Sequence, residues 1–327
     1  CQLGRDRRIY SPANSTRRLG SMMQSINARF TAEGRSEVGL HRSGNEDSAL
    51  INGLLIAVAD GMGGHAGGEV ASKVAITTLA QILPLLNNDE MDPESLEDFL
   101  LNALLDVDNE IRLTADADDR LSGMGTTLTS IALYRNQAYV LHAGDSRAYR
   151  LRGKEFTQLT KDHSVVQELI DAGSITEAEA AVHPQRSVLT NVFMGLGNIT
   201  PLLIQYDLKV GDKFLLCSDG LSNVISNQEL ARLIVQPDAV SKLISLTYER
   251  GAPDNITVVL AEVGSGRSCG RRNSNRSQHS PRRTDSNANR HGWWQEKVTR
   301  ALARKAQRCR FSYMKALRNP GNPLRAR

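Results

Sequence analysis

Hydrophobic positions along the chain fall into two rhythms. Residues 54–59 (LLIAVA) are six consecutive apolar positions ending on an acid, which predicts a short buried strand. Residues 69–86 and 94–115 repeat apolar side chains every three to four positions and predict two amphipathic helices, the second opened by Asp92 as cap and Pro93 at the first helical position. Three β-like runs follow. Those over 126–134 and 137–144 are separated by the turn pair Arg135-Asn136, and SRAYRLR over 146–152 alternates with a period of two. Residues 212–219 (DKFLLCSD) again read as an apolar strand ending in an acid, and 255–263 form a last strand rich in β-branched residues. Adjacent runs joined by tight turns predict antiparallel sheets. The long helices outside them predict an α/β layered sandwich rather than a doubly wound parallel sheet.

Around this pattern the chain changes character. Residues 1–35 are polar and Arg-rich and read as a flexible arm, which leaves 36–263 as the folded domain. Within it, 160–201 is helix-forming but polar, and reads as a flap inserted over one end of the core. Residues 264–292 are rich in Ser, Arg and Asn and read as a disordered basic linker, and 293–327 as a basic, possible-helix tail of amphipathic pattern.

The net charge of +4 hides an asymmetry. Residues 264–327 carry 17 Lys+Arg against 2 Asp+Glu, whereas the other 263 residues carry 23 against 34. The folded domain is therefore acidic, and the basic tail is the part that would touch an anionic membrane surface or an acidic partner. It has neither a zinc-finger spacing nor an RNA-binding aromatic motif, so specific nucleic-acid binding is not expected. The four cysteines, Cys1, Cys217, Cys269 and Cys309, form no close pair, which points to a reducing, cytoplasmic setting. No apolar run approaches the roughly 20 residues of a membrane span.

The chemistry lies in a repeated arrangement: an apolar strand, then an acid, then a small or turn residue. Glu46 and Asp47 (GNEDS), Asp60 (VADG), Asp145 (AGDS), Asp219 (CSDG) and Asp254 (APDN) all follow it. Any one of these is ordinarily only a turn. Gathered at one sheet edge, however, such acids repel one another and resist ionisation unless a cation joins them. All-oxygen donors suit hard ions such as Mg²⁺ or Mn²⁺. Five glycines lie among residues 61–68, where a nucleotide-binding loop would be sought, but the Walker lysine and the G-x-G-x-x-G spacing are both missing. In this setting the glycines are expected to leave room for ions and waters. Cys217 has no C-x5-R loop around it and reads as a core residue, not a nucleophile.

RSGNED, VADGMGGHAGGEVAS, GMGTTL, HAGDSRAYRLR, LTKDHS, CSDGLSN and APDNITVV occur in that order. Over residues 36–263 this series resembles the metal-dependent protein phosphatases of type 2C (PPM), in particular their bacterial Ser/Thr branch. The resemblance implies two central antiparallel β-sheets flanked by α-helices. It also implies Mn²⁺ or Mg²⁺ as cofactor, with two ions in the core site and a third, weaker one. Asp60 would bridge the two ions with the Gly61 carbonyl on one of them, Asp219 and Asp254 would complete one shell, and Glu46, supported by Asp47, would serve the other. Asp145 would join Asp219 in the third site. Arg42 would grip the substrate phosphate, and attack would come directly from a metal-bridging hydroxide. Where eukaryotic members carry a histidine after Asp-Gly this chain has Met62, and His65, three residues on, is the candidate general acid. The milder readings make Thr126 and Thr127 strand residues bordering the site, and Ser146 and Arg147 supports for the Asp145 loop. Substrates would be phosphoserine and phosphothreonine proteins supplied by a cognate bacterial Ser/Thr kinase, with the phosphatase acting as a monomer. The competing readings are a catalytically dead regulatory domain, disfavoured because every acid is present, and a non-specific anionic-surface binder acting through the tail.

Overall fold

The structure, a computed structural model, describes residues 28–63, 67–88 and 91–265. The chain opens with β1 (Ala28–Glu37), β2 (Asp47–Ile51), β3 (Leu55–Met62) and the helix α1 (Gly67–Leu79). A 3-10 turn at Ala80–Ile82 leads into the short α2 (Leu83–Leu86), followed by α3 (Pro93–Ala117). Next come β4 (Gly125–Thr126), β5 (Leu128–Tyr134), β6 (Gln137–Ala143), β7 (Arg147–Arg152) and β8 (Glu155–Gln158). The segment over 160–201 carries α4 (Val165–Asp171) and α5 (Glu177–Ala181). The fold closes with β9 (Leu202–Asp207), β10 (Lys213–Cys217), α6 (Asp219–Ser222), α7 (Asn227–Leu233), α8 (Ala239–Glu249) and β11 (Ile256–Ser265).

Two antiparallel sheets stack between two helical layers, as the resemblance implies. One has the order β1-β11-β10-β7-β8 and the other β2-β3-β5-β6-β9, with β4 attached to β3. Alternation along β10 and β11 sorts their side chains between two cores. Phe214, Leu216, Val259 and Ala261 join the core shared with β3, β5, α1 and α3, whereas Leu215, Cys217, Val258 and Leu260 pack with Leu230 of α7 and Leu243 of α8. β3 and β5 are covered on both faces, so 54–59 reads as an unbroken apolar run instead of an alternation. Arg135-Asn136 is the tight turn expected between β5 and β6, with Tyr134 facing Gln137 and Arg135 at φ 52°.

Three expectations need correction. Residues 28–35 do not belong to a loose arm. They form most of β1, pairing along β11 from Ala28–Ser265 to Glu37–Ile256, with Ala28 and Phe30 buried while Arg29 and Thr31 stay exposed. The helix read over 69–86 is interrupted at Ala80–Ile82, and Pro84 sits in the first turn of the short piece that follows, where its missing N–H and its ring are tolerated as they are not in a helix interior. Gly67–Leu86 is also long and apolar enough to cross a membrane by length and composition, but it is a core element, with Ala71, Ala75 and Leu79 fully buried. The cap of α3 is as expected: Asp92 Oδ1 accepts from Ser95 N at 2.9 Å.

Candidate active site

Asp60 lies two residues before the end of β3, opposite Asp47 at the start of β2. Its backbone is clamped from β4 and β5. Asp60 O accepts from Thr126 Oγ1 and from Thr127 N, each at 2.8 Å, and Asp60 N donates to Thr127 Oγ1 at 3.0 Å. Thr127 Oγ1 also meets Ser146 Oγ at 2.9 Å, which ties Asp60 to the loop that carries Asp145. Behind that loop, Arg147 grips Asp162 with two near-parallel bonds, Nε to Oδ1 at 2.9 Å and Nη2 to Oδ2 at 2.6 Å. Ser146 and Arg147 thus have the supporting positions read from the sequence; Thr126 is the expected strand residue, in β4, whereas Thr127 falls between β4 and β5.

Asp219 follows β10 and begins α6, with Asn223 Nδ2 donating to its Oδ2 at 3.1 Å. Asp254 precedes β11. Its Oδ1 accepts from Asn255 N at 2.8 Å and its Oδ2 from Arg42 Nη2 at 2.5 Å. Asn255 straps the loop that carries Glu46 to the same edge, accepting from Glu46 N at 2.9 Å and donating to Gly44 O at 3.0 Å. Ser218 Oγ donates to Asp47 Oδ2 at 2.8 Å and accepts from Thr257 N at 3.0 Å. Ser218 and Asn255 are functional supports the sequence reading missed, although each sits directly beside an acid it had singled out.

The acids share one electrostatic site. Burial pushes Asp60 well above the ordinary carboxylate range, and repulsion from Asp47, Asp219, Asp145 and Asp254 adds to it. Burial, then Asp219, raises Asp145 to about 7, and burial raises Asp47 to about 6 against the hydrogen bonds from Thr257 and Ser218. Asp219 is raised by burial and by Asp254. Asp47 Oδ1 and Asp219 Oδ1 are buried without a hydrogen-bond partner. Among the described residues no three carboxylate, imidazole or thiol groups close into a ready coordination cage. The acids line one pit without converging on one point. A set of hard oxygen donors, mutually repelling and with two orphaned oxygens, nevertheless fits divalent cations of the Mg²⁺ or Mn²⁺ kind.

A pH dependence follows for the protein in excess chelator. Below the ordinary value of 3.8, Asp47 and Asp145 are protonated whether folded or unfolded and contribute nothing. Between there and about 6 to 7 the folded state binds more protons, so stability falls as pH rises, by at most about 1.4 kcal/mol per pH unit per group. Asp118 and Glu229, pushed down to about 2 by their arginine partners, act only in a more acidic range. The melting temperature in EDTA should therefore rise from pH 7.5 to pH 5.5, and Mn²⁺ should flatten that slope. A melting temperature that falls over the same interval would contradict the raised carboxyls.

Two glycines of the 61–68 stretch are required by close packing. Gly61 and Gly68 lie face to face: a Cβ on Gly61 would run into Gly68 O and reach within 2.7 Å of Glu46 O. A Cβ on Gly68 would strike the Glu46 carboxylate at Oε2. They let β3, the start of α1 and the Glu46 loop meet at the pit, so the close approach is of protein to protein. His65 lies outside the described residues. Arg42, half-exposed at the rim, is delivered by a loop held through Leu40 N to Ala252 O at 2.8 Å. The hydrogen bond it donates to Asp254 is the main cause that raises its guanidinium pKa. Cys217 is fully buried and burial pushes its thiol up to about 12, as befits a core residue.

Comparison with known proteins agrees with this geometry. The sequence profile of the family described as Protein phosphatase 2C matches residues 45–261. The serine/threonine protein phosphatase PstP of Mycobacterium tuberculosis is 43% identical over 233 residues, a match covering 70% of this chain but 44% of that relative, so the chain spans less than half its length. The protein phosphatase PhpP of Streptococcus pneumoniae is 37% identical over 237 residues, covering 70% of this chain and 95% of that protein. The crystal structure of the PstP catalytic domain in complex with two manganese ions superposes with a TM-score of 0.65 at 38% identity, covering 72% of this chain and 99% of that one.

Proposed function

This chain belongs to the protein phosphatase 2C family, and from that premise we propose that its domain over residues 36–263 is a Mn²⁺- or Mg²⁺-dependent protein-serine/threonine phosphatase. The observation that carries the proposal is the pit itself: Asp47, Asp60, Asp145 and Asp219 are held together with raised pKa values, two of their buried oxygens are unpartnered, and Arg42 stands at the rim. Asp60 would bridge two ions, with the Gly61 carbonyl on one of them; Asp219 and Asp254 would complete one shell, and Glu46, supported by Asp47, would serve the other. Asp145 with Asp219 would hold a weaker third. When bound, the ions supply charge neutralisation and a water acidified to near neutral pH.

The chain's own side chains do the rest. Arg42 presents a planar fork matched to phosphoryl oxygens, and its bond to Asp254 sets the direction of that fork before substrate arrives. The serine or threonine oxygen leaves as an alkoxide and needs a proton, for which His65 is the nearest candidate in sequence to Asp60. Cys217 is too deeply buried to act as a nucleophile. By analogy with the bacterial relatives, the substrates would be products of a bacterial Ser/Thr kinase, acted on by a cytoplasmic monomer. Gly264 and Ser265 end β11 and are not part of a loose linker; residues 266–327 lie outside the described residues, and the tail is expected to be dispensable for turnover.

The test is phosphate release from a phosphothreonine peptide by the Mn²⁺-loaded protein, with Arg42→Ala alongside. Arg42→Ala should raise KM by about ten- to a hundredfold with a smaller change in kcat, because a charge-assisted bidentate contact is lost from ground and transition state alike. An unchanged KM would remove Arg42 from phosphate binding.

A further inference from the structure

The segment over 160–201 is tied to the core at two joints, one beside Asp145 and the other at Thr126. At its start, His163 N donates to Gly144 O at 2.8 Å and Gly144 N donates to His163 Nδ1 at 3.2 Å, one residue before Asp145. At its end, Phe193 and Thr126 exchange backbone hydrogen bonds of 2.9 and 3.0 Å, and Thr126 in turn pairs with Gly61. Both joints therefore sit next to residues of the acid site, where the part of a substrate beyond its phosphate can meet them.

The second joint is secured by a residue with no place in the acid pit. Asp108, on α3, is 5% exposed. Its Oδ1 accepts from Met194 N at 3.1 Å and Gly195 N at 2.8 Å, and its Oδ2 accepts from Gly197 N at 2.9 Å. The backbone just after Phe193 is thus wrapped around one buried carboxylate. Both glycines have left-handed backbones, φ 74° and 69°, and a Cβ on Gly195 would lie 2.6 Å from Arg112 Cα on the next turn of α3. The wrapped turn displays Leu196, 67% exposed, between the two glycines. Asp60, by contrast, is fixed by Thr126 and Thr127 without any bond from this turn.

We propose that Asp108 is a positioning residue for phosphoprotein substrates. It latches the return of the 160–201 segment beside the pit and so governs turnover of phosphopeptides but not of small phosphate esters. The inference rests on the phosphatase reading above. A buried carboxylate satisfied by three amides holds its loop in one geometry, and loss of that geometry penalises only substrates that reach the loop.

The test compares wild type with Asp108→Ala, Asp108→Asn and Gly195→Ala at saturating Mn²⁺, on a phosphothreonine peptide and on para-nitrophenyl phosphate. Asp108→Ala and Gly195→Ala should cut kcat/KM for the peptide about tenfold or more, mainly through KM, while para-nitrophenyl phosphate turnover stays within about twofold. Asp108→Asn keeps one acceptor oxygen and should fall in between. Amide hydrogen exchange at Gly195 and Gly197 should quicken at least about tenfold in the alanine variant. If Asp108→Ala does not fold, the Asn and Gly195 variants decide the matter by the same criteria. Equal losses on both substrates, or no loss on the peptide, overturn the proposal while leaving the phosphatase reading intact. A wild type that hydrolyses neither substrate overturns both.

Discussion

Asp60→Asn is expected to lower kcat by about three orders of magnitude or more while leaving the chelator-treated protein at least as stable as wild type. The two effects have one cause. Asp60 is kept far above its ordinary pKa by burial and by four neighbouring acids, so its charge is a liability in the fold and an asset only to a bound cation. Asparagine keeps the shape and leaves untouched the backbone bonds from Thr126 and Thr127, but removes the repulsion. A side chain retained for structure would show the opposite pattern, with activity and melting temperature falling together. Kinetics on para-nitrophenyl phosphate and thermal melts in EDTA read both at once. A variant that is destabilised by several degrees, or that retains more than about a tenth of wild-type kcat, would contradict this reading of the pit.

Gly68→Ala should be nearly as damaging although it touches no acid of the pit except Glu46. Alanine in place of a helical glycine ordinarily gains about 0.5–1 kcal/mol. Here the new Cβ collides with Glu46 Oε2 and comes within 2.8 Å of both Glu46 Cδ and Gly61 C. Overpacking of this kind costs about 1–3 kcal/mol and wins over the propensity gain. Either Glu46 or the first turn of α1 must move, and with it one of the oxygen donors. Turnover should drop by about a hundredfold. Gly67→Ala is the control: among the described residues its Cβ meets Met124 alone, Cβ at 3.2 Å and Cα at 3.8 Å, so activity should stay within about threefold. Equal effects of the two substitutions would show that helix flexibility, not the Glu46 contact, matters.

Much of this was legible in the sequence because it is written in local rhythm. The six-residue apolar run of β3, the Arg135-Asn136 hairpin and the Asp92 cap appear where expected, since each depends on neighbours within a few positions. The acids could be gathered because each lies within two residues of the end of a strand. What the sequence concealed depends on distant partners. β1 continues out of an Arg-rich stretch because β11 offers it an edge along ten residues. The need for Gly68 becomes visible only once Glu46, 22 positions earlier, lies against it. The bond between Arg42 and Asp254, two residues expected to work separately, spans 212 positions. Asp108 did leave a trace: it is a lone carboxylate on the buried stripe of α3, between Leu104 and Ile111. Its partners, however, are backbone amides of a loop more than 80 residues away.

The most direct test is a titration of Mn²⁺ into the metal-stripped protein. Bound ion would be followed by electron paramagnetic resonance and phosphate release from a phosphothreonine peptide in the same samples. The expected result is no turnover in excess EDTA, activity that rises with ion binding, and about two tight ions per chain, with binding and turnover both lost in Asp60→Asn. Undiminished hydrolysis in excess EDTA, or tight Mn²⁺ binding that survives Asp60→Asn unchanged, would contradict the assignment of these acids to a metal centre.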